Sequence, residues 1–388
     1  MVGFRAPDVY VIEESMGPRT IEAVGTSVAA FLGRAPAGDA PAERAVAVND
    51  FGEFERRFVK DAGATTALAN AVFGFFANGG GRCYVVDTGD AEELTRAHVD
   101  RLTTVDEVAI VAAPGFTDAV SYDVLLSHVE DMGDRFAVLD APAEFGHVRA
   151  LTRVAGAEPA SSGGDEPAPS KPRASDHGAF YAPNLVMPNP VTPEAGLVHA
   201  PPSGAVAGIY ARTDAERGVH KAPANTPVRG AVDLTYRFNR DEQALLNPAG
   251  VNCLRHFVRE GLVVWGARTL SSDPEWRYVP VRRLFTMIVE SIRDGTRHVV
   301  FEPNDRATWA AIRRDVGDFL KRLWRAGALM GATPEQAFFV KCDRETNPPE
   351  VVEAGQVVTV VGLAPVRPAE FVVFRLGQSR EGTEVEGA

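Results

Sequence analysis

The chain has 388 residues, enough for two or three domains that each bury a core. Its 52 acidic residues outnumber its 40 basic ones, and the formal charge of -12 argues against a general nucleic-acid binder and against a protein held on an anionic membrane. Three widely separated cysteines, Cys83, Cys253 and Cys342, form no CxxC pair and no disulfide framework, which predicts a soluble protein of the reducing cytoplasm.

The charge is unevenly distributed along the sequence. Residues 1–150 carry 24 acidic and 12 basic groups, whereas residues 251–330 carry 14 basic and 9 acidic groups. Such polarity is typical of a subunit whose two ends contact different neighbours, but segregated solvated charge without any partner would give the same pattern. Any basic binding surface is therefore expected to be local.

The N-terminal part of the chain alternates short apolar runs with amphipathic stretches. The predicted strands are 8–13, 83–87, 108–113 and 136–140. The predicted helices are 49–58, in which Asn49 or Asp50 caps and three phenylalanines share one face, and 121–132. This alternation predicts an α/β fold, of mixed α and β elements, with a partly parallel sheet.

One segment has the composition of a linker. Residues 156–175 are rich in Gly, Pro, Ser and charged residues and contain almost nothing to bury. This predicts a mobile loop or the scar of an excised insertion, which divides the chain into unequal parts.

The C-terminal part contains the clearest helical patterns. The predicted helices are 203–218, with Ser203 as cap and Ala and Gly for close packing, 282–293 and 305–329. The predicted strands are 262–265, 298–301, 337–340, 357–361 and 370–376.

Apolar strands are predicted near both chain ends, although termini are usually polar. In 370–376 both faces are apolar and would invite aggregation if left exposed. Each strand is either covered within its own domain or donated to the sheet edge of a neighbouring subunit, which would make a polymer. The residue pattern alone favours the intramolecular alternative.

Two carboxylates are candidate functional groups. Asp87 and Asp140 follow apolar strands, where α/β folds place ligand-binding side chains, but a strand-ending turn or helix cap explains them better because no partner motif is present. The run 78–82 (NGGGR) lies between a predicted helix and a strand, the reverse order of a phosphate loop, and is typical of helix termination. No GxSxG, HExxH or GxGxxG motif and no i, i+4 histidine pair is found.

Several segments together resemble the tail sheath proteins of contractile bacteriophages and of phage-like contractile injection systems. The segments that carry the resemblance are 7–14 (PDVYVIEE), 21–33 (IEAVGTSVAAFLG), 75–84 (FFANGGGRCY), 246–254 (LNPAGVNCL), 264–270 (VWGARTL), 276–278 (WRY), 301–304 (FEPN) and 347–350 (NPPE). Their order and spacing are specific. Asp8 replaces a common glycine, and the linker stands where longer sheaths insert a domain.

The resemblance implies a core of mixed sheets flanked by helices, with extended terminal arms woven into the sheets of neighbouring copies. It implies hexameric rings that stack around an inner tube protein and contract to drive the tube through a target envelope, with baseplate and cap proteins as further partners. It implies no cofactor, no enzymatic activity, no nucleic-acid partner, no membrane insertion, and assembly in the bacterial cytoplasm. The alternative is an α/β enzyme with an unrecognised carboxylate site.

With this resemblance the donated-strand alternative becomes the preferred one, and the chain divides into five segments. These are an arm at 1–20, sheath-domain parts at 21–155 and 176–355 separated by the linker 156–175, and C-terminal strands with an arm at 356–388. The predicted inter-subunit arm residues are Val9, Tyr10, Val11, Ile12, Phe371, Val372, Val373, Phe374 and Leu376. The predicted inner-tube contacts are Lys321, Arg322 and Arg325.

Overall fold

The computed structural model describes residues 20–37, 44–60, 64–156 and 168–371. Its strands are β1 Ala29–Gly33, β2 Val46–Val48, β3 Cys83–Asp87, β4 Ile110–Ala112, β5 Phe136–Asp140, β6 Gly178–Ala182, β7 Leu185–Pro188, β8 Leu197–Ala200, β9 Thr226–Pro227, β10 Asp233–Leu234, β11 Val251–Phe257, β12 Gly261–Val264, β13 Phe338–Lys341 and β14 Val360–Leu363. Its helices are α1 Phe51–Phe54, α2 Ala67–Ala77, α3 Arg96–Val99, α4 Ala119–Met132, α5 Ser203–Arg217, α6 Arg240–Leu246, α7 Val279–Gly295, α8 Arg306–Arg325, α9 Pro334–Ala337 and α10 Pro349–Glu353.

A nine-stranded sheet forms the centre of the molecule. Its strand order is β2-β3-β1-β4-β5-β6-β11-β12-β9, and the strands from β3 to β11 in this order are parallel to their neighbours. β2, β12 and β9 are added in antiparallel orientation at the two edges. The prediction of an α/β fold with a partly parallel sheet is confirmed.

The sheet continues across the predicted linker. β5 precedes the linker and β6 follows it, yet the two strands pair in parallel, with Leu139 opposite Phe180. The described part of the linker, 168–175, also packs on the protein, because Arg173 forms ion pairs with Asp123 and Glu130 of α4 at 2.6 and 2.8 Å. The strands on both sides of the linker therefore belong to one sheet.

Helices cover both faces of the central sheet, as expected for parallel strands that are buried on both sides. Phe31 and Val85 face a layer that contains α2 and α5, whereas Leu32 and Val86 face the layer of α4. The three predicted strands at 83–87, 108–113 and 136–140 all lie here, as β3, β4 and β5.

α2 and α5 approach each other closely because glycines face the contact. A Cβ atom placed on Gly204 would lie 2.1 Å from the Ala71 carbonyl oxygen, and one on Gly208 would lie 2.4 Å from the Phe75 carbonyl oxygen. The predicted close packing of 203–218 is confirmed. The predicted cap is wrong, because Pro202 occupies the cap position and Ser203 is the first helical residue.

A smaller helical unit follows the central sheet. The apolar faces of α7 and α8 pack together around Leu284, Ile288, Val316 and Phe319, and the antiparallel pair β13–β14 covers one side. Asp305 caps α8 by accepting from the backbone N–H groups of residues 307 and 308. Both helices confirm the predicted elements, although α8 ends four residues earlier than predicted.

The predicted strand at 298–301 is wrong. This stretch forms a 3-10 turn at Arg297–Val299, and Phe301 has a φ of 73° with a fully exposed side chain. The run joins α7 to α8, and none of the strands in the described part of the chain pairs with it. Of the predicted strand 370–376, Glu370 and Phe371 are not in a strand and the other residues lie outside the described part of the chain, as does the predicted strand 8–13.

Candidate assembly surfaces and the two chain ends

The two candidate carboxylates do not form a common site. β3 and β5 are separated by β1 and β4, so Asp87 and Asp140 lie about 14 Å apart at the usual strand spacing. Asp87 accepts hydrogen bonds from the backbone N–H groups of Ala35, at 2.9 Å, and Gly89, at 3.0 Å. It therefore fixes the turn after its strand, as the structural interpretation predicts.

Asp140 is a buried cap of α5. Its two carboxylate oxygens accept from the backbone N–H and the hydroxyl of Ser203, at 2.7 and 2.6 Å. Burial raises its pKa to about 7, against the lowering effect of the two Ser203 hydrogen bonds. The helix-cap interpretation is confirmed, and the side chain is only 2% exposed.

This carboxyl predicts a pH-dependent stability. Because its pKa is raised from 3.8, the native state keeps a proton between about pH 4 and 7 that the unfolded state loses, so the free energy of unfolding falls as pH rises through that window. Asp140→Asn keeps the shape and cannot ionise. We expect it to gain stability relative to the native protein with rising pH, by at most ~1.4 kcal/mol per pH unit. Urea unfolding at about pH 5 and 8 measures this; parallel behaviour of the two proteins would contradict it.

Three asparagines of the sequence motifs each bind the main chain of one distant residue through both amide atoms. Asn78 pairs in this way with Arg229, Asn252 with Arg268, and Asn347 with Val358. All three are nearly fully buried. Sequence analysis found the motifs but did not predict these side-chain to main-chain hydrogen bonds. The sequence feature that accompanies them is an asparagine close to glycine or proline residues in each motif.

The N-terminal segment is rooted in the helical unit. Ile21 is 1% exposed in the core between α7 and α8, and Gly295 approaches it so closely that a Cβ there would lie 2.7 Å away. The backbone N–H of Val24 donates to the Ser291 hydroxyl at 3.0 Å. The predicted arm residues Val9, Tyr10, Val11 and Ile12 lie outside the described residues, which begin at residue 20, next to this contact.

A buried ion pair holds the next residues of this segment. Arg283 of α7 binds Asp214 of α5 at 2.7 Å, with both side chains 4% exposed. Thr26 joins the pair, since its hydroxyl donates to Asp214 at 2.6 Å and its carbonyl accepts from Arg283 at 2.8 Å. The segment thereby links the helical unit to β1, the next element in the sequence, which lies within the central sheet.

The three predicted tube-contact residues differ in their surroundings. Lys321 and Arg325 are exposed and lie one turn apart on α8. Arg322 is exposed as well, and its guanidinium donates a hydrogen bond to the carbonyl of Ile21. The structure thus brings Lys321 and Arg325 together on one surface and places Arg322 at the root of the N-terminal segment.

The pair β13–β14 offers strand edges on the helical unit. Phe338, Val340, Val361 and Leu363 pack toward the core, while Phe339 on the other face is 56% exposed. Among the described residues no third strand pairs with this sheet. Unpaired strand edges can accept a strand from another chain. Phe371, the one predicted C-terminal arm residue within the described range, is 72% exposed, and Val372, Val373, Phe374 and Leu376 lie outside that range.

Comparison with known proteins identifies the family. The model described as phage tail sheath protein central domain matches residues 95–270, and the phage tail sheath C-terminal domain matches residues 271–378. The chain is also 32% identical to a chain of the anti-feeding prophage helical sheath in its contracted state, covering 97% of this chain and 100% of that one with a TM-score of 0.77. The chain belongs to the phage tail sheath family.

Other sheath proteins show the same similarity. A sheath chain of the contractile injection system named PVC, in the contracted state, is 29% identical with a TM-score of 0.80, covering 98% of this chain and 99% of that one. A putative prophage major tail sheath protein of Pseudomonas aeruginosa is 31% identical over 46% of this chain and 45% of its own length. The tail sheath protein of Salmonella phage ViI is 29% identical over 47% of this chain and 29% of its own length.

The matched segment spans less than half of these curated sheath proteins. The predicted fold, a sheath core of mixed sheets flanked by helices, is confirmed by the full-length structural matches. Within the residues that the structure describes, no helix has the length and apolar character needed to cross a membrane, and no cluster of metal-binding side chains is found.

Proposed function

We propose that the protein is the subunit of a contractile sheath that polymerises as stacked hexameric rings around an inner tube and contracts to drive the tube through a target envelope. The observation that carries the proposal is the similarity, over nearly the whole chain, to the contracted helical sheath of the anti-feeding prophage. The role is structural, without catalysis or a cofactor.

The polymer is held together by strand donation. Val9 to Ile12 and Phe371 to Leu376 add to sheet edges of neighbouring copies, where main-chain hydrogen bonds bind and side-chain pockets select. The proposal is supported by the apolar patterns at both chain ends and by the exposed edges of β13–β14. Contraction is then a rigid-body change of packing in which the arms remain attached and act as hinges.

The partners follow from the same relatives. A 31% identical chain belongs to the anti-feeding prophage baseplate, determined with six-fold symmetry, which supports a six-fold ring and contact with a baseplate here. An inner tube protein and a cap protein complete the particle, which assembles in the bacterial cytoplasm and engages neither nucleic acid nor the membrane interior.

Negative-stain electron microscopy tests the proposed function. The protein is expressed alone and together with the genes that neighbour it, because a sheath needs its tube and baseplate to assemble in the extended state. We expect striated sleeves. Small, uniform particles under both conditions would contradict the proposal and favour an enzyme.

We propose that Lys321, Arg322 and Arg325, near the end of α8, contact an acidic inner tube. Lys321→Glu with Arg325→Glu reverses both charges and leaves the Arg322 bond to Ile21 in place. Because like charges then meet, we expect sleeves without extended, tube-filled particles. The control is Arg306→Glu, an exposed position on the same helix about 22 Å from Lys321. Extended, tube-filled particles from the double variant would rule out the contact.

A further inference from the structure

Glu370 lies in a dense set of hydrogen bonds immediately before the predicted C-terminal arm. Its carboxylate accepts from Arg268 Nε at 2.8 Å and from Arg268 Nη2 at 2.6 Å, which is a two-pronged ion pair. Asn247 Nδ2 donates at 2.9 Å and the Tyr278 hydroxyl at 3.2 Å. Although burial opposes ionisation, these donors hold the pKa of Glu370 below its ordinary value. We call these four residues the Glu370 clamp.

Three of the sequence motifs converge on this clamp. Asn247 belongs to the motif at 246–254, Arg268 to the motif at 264–270, and Tyr278 to the motif at 276–278. No inter-subunit contact proposed above uses them. The motifs therefore share one partner that is 92 to 123 residues distant in sequence.

Hydrogen bonds to neighbouring residues hold Arg268, the cation of the clamp, in place. Asn252 accepts from the Arg268 backbone N–H at 2.7 Å and donates to the Arg268 carbonyl at 2.8 Å. Gly266 permits this approach, because a Cβ on it would lie 2.7 Å from the Asn252 amide oxygen. The Arg268 guanidinium also donates to the Asn247 carbonyl at 3.1 Å. These contacts position Arg268 without any contribution from Glu370.

The chain reaches the clamp from the helical unit. The carbonyl of Ala364 accepts from the backbone N–H of Met330 at 2.7 Å, and the backbone N–H of Val366 donates to the carbonyl of Ala328 at 3.2 Å. Glu370 then binds residues that follow α6 and β12 at the central sheet, with its side chain 19% exposed, whereas Phe371 is 72% exposed. Main-chain hydrogen bonds thus hold the chain as far as residue 366, the Glu370 carboxylate holds it at residue 370, and the next side chain is largely exposed.

We propose that Glu370 and Arg268 are positioning residues of the C-terminal arm, which set the point and direction in which it leaves toward a neighbouring copy. This inference rests on the proposed function and concerns the same assembly. An arm rooted at 370 spans about 20 Å over residues 371–376. Loss of the clamp frees residues 367–370 and adds about 13 Å of chain, which lowers the effective concentration of the arm at its docking site.

The test uses the full chain with Glu370→Ala and the conservative Glu370→Gln, which keeps one acceptor oxygen. The first readout is hydrogen exchange of the Val366 amide, which donates to the Ala328 carbonyl at 3.2 Å, in the unassembled subunit. We expect exchange to accelerate by about tenfold to a hundredfold in Glu370→Ala, as charge-assisted hydrogen bonds are lost, and by less in Glu370→Gln.

The second readout is the protein concentration at which sleeves form. For Glu370→Ala we expect this concentration to rise about tenfold, while the melting temperature of the subunit body stays unchanged.

Two further variants separate positioning from general stability. Asp131→Ala removes an exposed ion pair with Arg96 at 2.9 Å and should change neither readout. Arg268→Glu combined with Glu370→Arg restores opposite charges, and because Asn247 and Tyr278 can also accept hydrogen bonds, it should recover part of the assembly.

The outcomes separate the positioning role of Glu370 from the proposed assembly of the protein into sleeves. Unchanged exchange in Glu370→Ala, or faster exchange with normal sleeve formation, overturns the positioning role. Failure of the unaltered protein to form sleeves under any condition overturns the proposed function itself, and with it the arm.

Discussion

Removal of residues 371–388 is expected to abolish sleeve formation while leaving a folded body. The truncation ends after Glu370, so the Glu370 clamp, β13–β14 and the packed cores of the described residues all stay complete. The lost part contains the apolar run at 371–376, whose strand addition supplies main-chain hydrogen bonds to a neighbouring copy in the proposed polymer. Because each subunit loses a contact of this kind, the effect on assembly is multiplied along the sleeve.

Sedimentation and electron microscopy measure the assembly, and circular dichroism with thermal unfolding reports the state of the body. The matched control removes residues 381–388 only, which deletes three glutamates of the tail but keeps the run at 371–376. We expect sleeves from the control. Sleeves of normal length from the longer truncation would refute strand donation by the C-terminal arm.

Gly204→Ala is expected to destabilise the protein by ~3 kcal/mol or more. The added Cβ would lie 2.1 Å from the Ala71 carbonyl oxygen and 2.4 Å from the Ala71 Cα, and both of these atoms belong to the backbone of α2. Relief requires α2 and α5 to separate, which opens the layer that covers one face of the central sheet.

The control for this substitution is Gly317→Ala on α8, where a Cβ meets nothing within 4 Å. That change should stabilise the helix by ~0.5–1 kcal/mol because alanine restricts the unfolded chain more than glycine does. Midpoints of urea unfolding measure both effects. Equal midpoints for the two variants would contradict the close contact between α2 and α5 at Gly204.

Elements with a strong local signal were predictable. β3 and β5 are short apolar runs ended by an aspartate, and α5 and α8 carry their packing faces in the sequence. The structural interpretation of Asp87 and Asp140 was also correct, since each binds backbone N–H groups of another segment.

Features that depend on distant segments were not predictable. The order of strands in the sheet joins β6 to β11 and β5 to β6 across long connections, which no local pattern encodes. The run at 298–301 has the β-branched and aromatic residues of a strand, but it joins two packed helices and pairs with no strand among the described residues. Lys321, Arg322 and Arg325 are all exposed, but the sequence could not show that the fold places the Ile21 carbonyl against Arg322 alone.

The roots of the two chain ends have a mechanical consequence. The N-terminal segment is fixed to α7 and α8, which are formed late in the sequence, whereas the C-terminal segment is fixed beside the central sheet. Each terminal segment is therefore attached to the unit that is formed mainly by the opposite half of the sequence. In the proposed sleeve, a pull on the N-terminal arm would reach the helical unit first, and a pull on the C-terminal arm would reach the sheet first. The Arg283–Asp214 pair, which joins α7 to α5, is one of the contacts that couple the two units.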